Sequence, residues 1–500
     1  MLFLLLLACR PDENGPPSAY GSSGDDSAGT SDGGVIVLAG GGTEGEIGDV
    51  SSWSSGLYAT LLRAGDINGD GAVTVAILAT GQESEWLPEY FVWLGATEAL
   101  NVRVASRGDT DAAAQAVAST DAAFIKGGDQ GEYYDRWNDS ALETALISLH
   151  QAGGGIGGTS AGAMSLAQFA FAGGADLVSS DVLANAQTTY LDDVTDGTAG
   201  VHDDFLGLVP AAVIDTHFTQ RARLGRLAGI LARIADDSNP AALFGIGIEE
   251  QTGLVIQDGV GTVAGVGSVT FLLPDSAVAP TREPALPLVW PNLALDRLTQ
   301  GWRYDVAARA VDIAHLPSTA DSIAWSGESA TPAGEWFADG HVLAHEERFA
   351  IVVRRDPEPF STHAGSDLPV LGDAIGILDA HDGDRRGANE ESLFRVLYDL
   401  VGHTGFLVGE GTSIERRAEM PERVRFIDTA NLDLPPLATL VVDTSAVTLR
   451  GLSADVSVSD AGDGAMSAAT LVGARLHVLY SGVGEQLEYD TVARAVVPPP

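Results

Sequence analysis

From residue 34 onward the apolar positions follow two rhythms, short continuous β-branched runs that stop at glycine and longer stretches in which apolar residues recur three or four apart. Residues 35–39 (Val-Ile-Val-Leu-Ala) are a run of the kind buried on both faces of a parallel sheet, and they end in Gly40-Gly41-Gly42-Thr43. Helices are predicted over 55–64, 85–100, 109–119 and 139–152, with strands at 72–79, 101–105 and 122–126 and further strands closing at residues 214 and 248. Alternation of strand and helix predicts an α/β fold with a doubly wound, mostly parallel sheet. In such sheets ligands sit at the carboxyl ends of the strands, which is where the glycine loops fall. After residue 281 the rhythm changes: proline-rich stretches give way to apolar runs such as 349–353 and 476–480, with one clear helix near 390–401, so residues 276–500 are expected to form a β-rich C-terminal region. Residues 439–459 repeat the strand, turn and strand pattern of 252–270, which β-rich composition explains on its own.

Five hundred residues exceed one core and imply two domains plus tails. The net charge of -42 argues against nucleic acid and an anionic membrane surface as partners. One cysteine, Cys9, rules out an internal disulfide framework and any cysteine-based metal site. It closes Leu6-Leu7-Ala8-Cys9, a stretch similar to the lipobox of bacterial lipoproteins, although no basic residue precedes the apolar run, which is too short to span a bilayer. Residues 1–9 are therefore expected to be a lipoprotein-type signal with Cys9 as the lipidated residue, and 10–33, rich in Gly, Ser, Asp and Pro, a flexible tether. On this expectation the protein is exported and meets a membrane only through its anchor.

The chemistry centres on Gly157-Gly158-Thr159-Ser160-Ala161-Gly162-Ala163, which fits G-x-S-x-G and is followed by a helix-like apolar run over 164–172. Such a turn between strand and helix presents a serine hydroxyl at the top of a sheet, which makes Ser160 the candidate nucleophile. A serine needs a base, and the base an acid to orient it. His202 lies among Asp203 and Asp204 in a polar stretch, whereas His217 follows an apolar run and begins a helix-like segment on which Arg221 would share its face. The acid is expected at the end of Gly245-Ile246-Gly247-Ile248-Glu249-Glu250, and alternation along that strand leaves either glutamate open. Asp66-Ile67-Asn68-Gly69-Asp70-Gly71 begins like a calcium loop but has Ile77 where a bidentate glutamate is required, so a tight acidic turn is expected. His341, His345, His363 and His381 lack the tight spacing of metal ligands. The loop at 40–43 lacks the Lys-Ser/Thr of a P-loop, and no nucleotide is expected there.

Four blocks, Gly127-Gly128-Asp129-Gln130, residues 157–163, Asp215 to Leu227 (Asp-Thr-His-Phe-Thr-Gln-Arg-Ala-Arg-Leu-Gly-Arg-Leu) and 245–250, stand in the order and approximate spacing of the cyanophycinase family, which residues 34–275 therefore resemble. The resemblance implies the class I glutamine-amidotransferase-like fold and a serine peptidase related to the aspartyl dipeptidases. It implies Ser160 as nucleophile, His217 as general base and Glu250 as orienting acid, with Glu249 where the family usually shows Asp. It implies an oxyanion hole from the N–H of Ala161 with that of Gly128 or Asp129, and a substrate site lined by Gln130, Asp215, Arg221 and Arg223, in which Asp215 would receive a cationic side chain. Family substrates carry aspartyl units, either cyanophycin, a polyaspartate with arginine on the β-carboxyls that yields β-Asp-Arg, or small aspartyl peptides. No metal or organic cofactor is implied, and the resemblance leaves room for a homodimer. The alternative is a binding or surface-attachment lipoprotein that retains the fold without turnover.

Overall fold

The computed structural model describes residues 34–173, 177–192, 200–237, 240, 242–322, 341–345 and 349–354 and, between 390 and 499, most of the chain in short segments. The expected signal with Cys9, the tether, His363 and His381 lie outside the described residues.

In chain order the first half runs β1 (Ile36–Ala39), α1 (Trp53–Ala59), β2 (Thr74–Ala79), α2 (Trp86–Leu94), β3 (Glu98–Arg103), α3 (Thr110–Val117), β4 (Ala122–Ile125), α4 (Gln130–Trp137), α5 (Ala141–Gln151) and β5 (Gly155–Thr159). These five strands are parallel, in the order β1-β5-β4-β2-β3. The β-branched runs are buried on both faces, as the pattern predicts. Val37, Val75, Ile77 and Phe124 pack under α1 and α2 with Leu57, Tyr58 and Phe91. Leu38, Ala76, Leu78 and Ile125 face the opposite core with Val117, Leu142 and Leu146 of α3 and α5. Period-two alternation between two apolar layers is what a doubly wound sheet requires.

Three local expectations are revised. The helix predicted to residue 100 stops at Leu94, because Gly95 at φ 121° ends it and β3 begins at Glu98. A helix the polar pattern concealed, α4, starts at Gln130, its N-terminus capped by the Asp129 carboxylate accepting from the Gly131 N–H at 2.8 Å. After Ser160 only α6 (Ala161–Met164) is helical, and the apolar run passes into a short strand, β6 (Ala170–Phe171). The acidic turn is a turn: Asp66 accepts the N–H groups of Gly69, Asp70 and Gly71, so its carboxylate caps its own loop. Among the described residues no group of three or more His, Cys, Asp or Glu could hold a metal ion.

The chain then continues through α7 (Ser179–Ala184), α8 (Thr189–Asp192), β7 (Val201–His202), β8 (Ala212–Thr216), α9 (Leu224–Asp237), β9 (Phe244–Ile248), β10 (Thr252–Gln257), β11 (Val260–Gly265), β12 (Ser268–Leu273), β13 (Trp290–Thr299), β14 (Arg303–Asp305) and β15 (Ala310–Val311). Strands β10, β11, β14 and β15 extend the first sheet from β1 by antiparallel pairing. Strands β8 and β9 pair in parallel in a second sheet, which continues antiparallel through β12 and β13 to the strands Ala469–Leu479, Thr439–Asp443, Thr404–Gly409, Phe349–Arg354 and His341–His345. The expected boundary at 275/276 therefore falls inside one sheet rather than between two. The C-terminal region is β-rich, and the core between the sheets is shared, with Ile36, Phe271, Leu295, Phe406 and Leu476 all buried in it.

Candidate active site

Parallel register brings four strand ends to one place. Ala39 on β1 lies opposite Thr159 on β5, and Thr216 on β8 lies opposite Ile248 on β9, so Ser160, His217 and Glu249-Glu250 each follow directly on a strand's last residue. Ser160 and the histidine–glutamate pair stand on different sheets. The backbone of 39–42 joins them: the Ala39 carbonyl accepts from the Ser160 N–H at 2.9 Å, that of Gly40 from His217 at 2.8 Å, and that of Gly41 from Gln251 at 2.8 Å. Only glycine allows this approach at 41, where φ is 96° and a Cβ would lie 2.4 Å from His217 Cε1. The triple-glycine loop is thus the clamp of the site.

Ser160 adopts φ 54°, ψ -124°, the strained turn of a nucleophile elbow. Gly162 makes that turn possible, since a Cβ there would meet the Ile125 carbonyl oxygen at 2.1 Å. His217 and Gln251 also have positive φ, 48° and 53°, so the backbone is strained at all three junctions, by about 1–3 kcal/mol each. The side chains form a continuous chain of hydrogen bonds. The Ser160 hydroxyl stands 2.7 Å from His217 Nε2, and Nδ1 of the same ring stands 2.5 Å from Glu250 Oε1. Burial pushes the His217 imidazole below its ordinary pKa, against the opposing hydrogen bond of Glu250 and with help from the charge of Arg221. Burial would raise the Glu250 carboxyl, but the hydrogen bond and charge of His217, with Arg221 and Arg223, outweigh it and hold it below the usual range. A neutral imidazole beside an ionised carboxylate results, the protonation states that deprotonation of a serine by a histidine would require.

Cyanophycinases from Trichormus variabilis and from Nostoc sp. are each 31% identical to the chain over 221 residues, 43% of this chain and 66% of the relative, just under two thirds of its length. A cyanophycinase from Geminocystis herdmanii is 31% identical over 212 residues, 41% of this chain and 70% of the relative. The chain belongs to the cyanophycinase family of serine peptidases. No family model matches it. The crystal structure of a peptidase from an acI-B1 Actinobacterium is similar at 19% identity and a TM-score of 0.36, covering 54% of this chain and 96% of that one.

With the family in hand, the two glutamates have distinct places. Glu250 reaches the imidazole, while Glu249 is 1% exposed and points inward to Thr219, Ser268 and Arg297. Ala161 opens α6 beside Ser160, and the Gly127-Gly128 turn abuts the same residue, a Cβ on Gly127 lying 3.3 Å from Ser160 Cβ. Gly128 and Asp129 are exposed, Gln130 begins α4 half-buried, and Arg221 closes the turn after His217, half-buried and close enough to act on both His217 and Glu250. Two expected substrate contacts are corrected. Asp215 is fully buried, and its carboxylate accepts from Arg226 Nε at 2.8 Å, from a second Arg226 nitrogen, from Arg223 at 3.1 Å and from the Thr216 N–H at 2.8 Å, which leaves no place for a substrate cation. Arg223, 7% exposed, donates to Asp215 and, at 2.6 Å, to the Thr216 carbonyl, so it is the counter-ion of a buried acid and not a substrate ligand. The expected helix face shared by His217 and Arg221 is instead a single turn, closed by Arg221 N–H to His217 C=O at 3.0 Å, and α9 starts only at Leu224. Sequence reasoning also missed Gln220, whose Oε1 accepts the Glu250 N–H at 2.9 Å, and Arg226, although both lie inside the Asp215 to Leu227 block.

Proposed function

We propose that this protein is a serine peptidase that hydrolyses aspartyl peptides, with cyanophycin as its first candidate substrate, through Ser160, His217 and Glu250. The observation that carries the reading is the unbroken hydrogen-bond chain from the Ser160 hydroxyl to His217 and on to Glu250, at 2.7 and 2.5 Å. His217 Nε2 takes the serine proton as Oγ attacks the amide carbonyl, and the imidazolium then protonates the leaving amine. Water, deprotonated by the same nitrogen, releases the acyl group from Ser160. Glu250 holds the Nδ1–H throughout and offsets the charge that forms on the ring. The N–H groups of Ala161 and of Gly128 or Asp129 are the donors for the oxyanion. Arg221 would take a substrate carboxylate in a charge-assisted bond, and Gln130 would line the same site. A net charge of -42 adds a long-range attraction for arginine-bearing substrate.

The test compares release of β-Asp-Arg from cyanophycin with cleavage of β- and α-aspartyl dipeptides by the unmutated protein and by Ser160→Ala. Hydrolysis of at least one of them is expected, falling by about 10³-fold or more in the variant. Failure of the unmutated protein on all three substrates would instead favour the binding lipoprotein that keeps the fold without turnover.

A further inference from the structure

The C-terminal half reaches the candidate site from behind through two buried ionisable side chains. Arg297, on β13 and outside the residues that carry the family's blocks, is fully buried, with its guanidinium against Glu249 and its central carbon 4.6 Å from the ring centre of Phe394. Glu249 directly precedes Glu250 and accepts the Thr219 hydroxyl at 2.6 Å, and Thr219 begins the turn that follows His217. The next residue of that turn, Gln220, takes the Glu250 N–H. A single chain of contacts thus runs from Phe394 through Arg297 and Glu249 to the turn that follows His217 and to the backbone that carries Glu250. A second arm runs beside it. Glu390, also fully buried, accepts the Leu224 N–H at 3.3 Å where α9 begins, and α9 carries the Arg226 that binds Asp215, two residues before His217. Both segments that present the base and its acid are therefore gripped by side chains from beyond residue 275.

We propose that Arg297 is a positioning residue for the His217–Glu250 pair, so that the C-terminal half completes the site instead of being appended to it. The physical ground is that a carboxylate buried beside Glu250 keeps its place only while a cation is paired with it, and that Arg297 supplies this cation as a planar guanidinium held over the Phe394 ring, which lysine reproduces only in charge. The role rests on the hydrolase reading for its kinetic consequence but not for its geometric one, and two readouts separate them.

In the full chain, Arg297→Gln is expected to lower kcat for aspartyl-peptide hydrolysis by about 10- to 100-fold with KM changed less than about twofold, since binding groups are untouched and the base is displaced. Arg297→Lys is expected to recover part of the loss. In proton NMR, the low-field resonance of the His217 Nδ1–H bonded to Glu250 is expected to move or broaden in Arg297→Gln. It should be unchanged in Arg450→Gln, a control on the partly exposed Asp321 pair of the same half. If Arg297→Gln does not fold, Thr219→Val, which cuts the Glu249 link at nearly constant volume, is expected to act in the same direction on both readouts. Folded Arg297→Gln or Thr219→Val protein with normal kcat and an unmoved resonance would overturn the proposal. Should the unmutated protein cleave none of the substrates, the hydrolase reading fails, and the resonance alone still decides whether Arg297 positions the pair.

Discussion

His217 is poised by opposing influences. Burial and the positive charge of Arg221 favour the neutral ring, and the Glu250 hydrogen bond favours the charged one, with burial the larger. The acid limb of the kcat/KM profile, which reports the free enzyme's base, is therefore expected below the ordinary histidine value of 6.5. Arg221→Gln removes one of the influences that depress the imidazole and is expected to move that limb upward, whatever it does to KM. A limb above 6.5 in the unmutated protein, or a downward move in the variant, would refute this account of the base. Glu249 and Glu250 show how neighbours in sequence come to differ. Each has burial working against its charge, yet one is rescued by Arg297, Thr219 and Ser268 and the other by an imidazole.

At the level of elements, the glycine loop after β1 takes a role that its composition alone did not disclose. Residues 40–42 suggested a turn beside the active centre and do stand there, but what they do is let a backbone pass directly under an imidazole. Gly41→Ala is expected to reduce hydrolysis by on the order of 10²-fold while circular dichroism stays that of the native fold, because the added carbon would displace His217 from Ser160. A near-normal rate would show that the loop does not set the histidine. Strands β1, β2 and β4 were legible because their apolar runs are continuous and a glycine follows each within two residues, and the serine elbow because its glycines flank a serine. The substrate assignments of Asp215 and Arg223 went wrong for a physical reason: a charged residue near a catalytic one can equally well face inward, and only the partner, here Arg226 or Thr216, decides which. Arg297 and Glu390 left no trace in the pattern, since a lone arginine inside a strand and a lone glutamate starting a helix look like surface residues until distant segments close over them.

For the molecule as a whole, a carboxyl buried at the junction of the halves makes stability depend on pH. Burial lifts the Glu390 carboxyl to about 8 from an ordinary 4.5. The unfolded chain loses this proton near 4.5 while the fold keeps it, so the stability Glu390 contributes is complete below pH 4.5 and is lost as pH rises toward 8. Glu390→Gln, which can still accept the Leu224 N–H, is expected to gain about 1–3 kcal/mol over the unmutated protein at pH 8 and little at pH 4.5, measured by denaturant unfolding. An equal effect at both values would mean that Glu390 is already ionised in the fold.

Because Ser160 rides on one β-sheet and His217 and Glu250 on the other, turnover by the proposed triad would double as a gauge of how the two layers are aligned. A slip of about 1 Å between them would leave every strand paired within its own layer and yet silence the chemistry. Agents that loosen the packing between layers should thus abolish catalysis well before spectroscopy registers any unfolding.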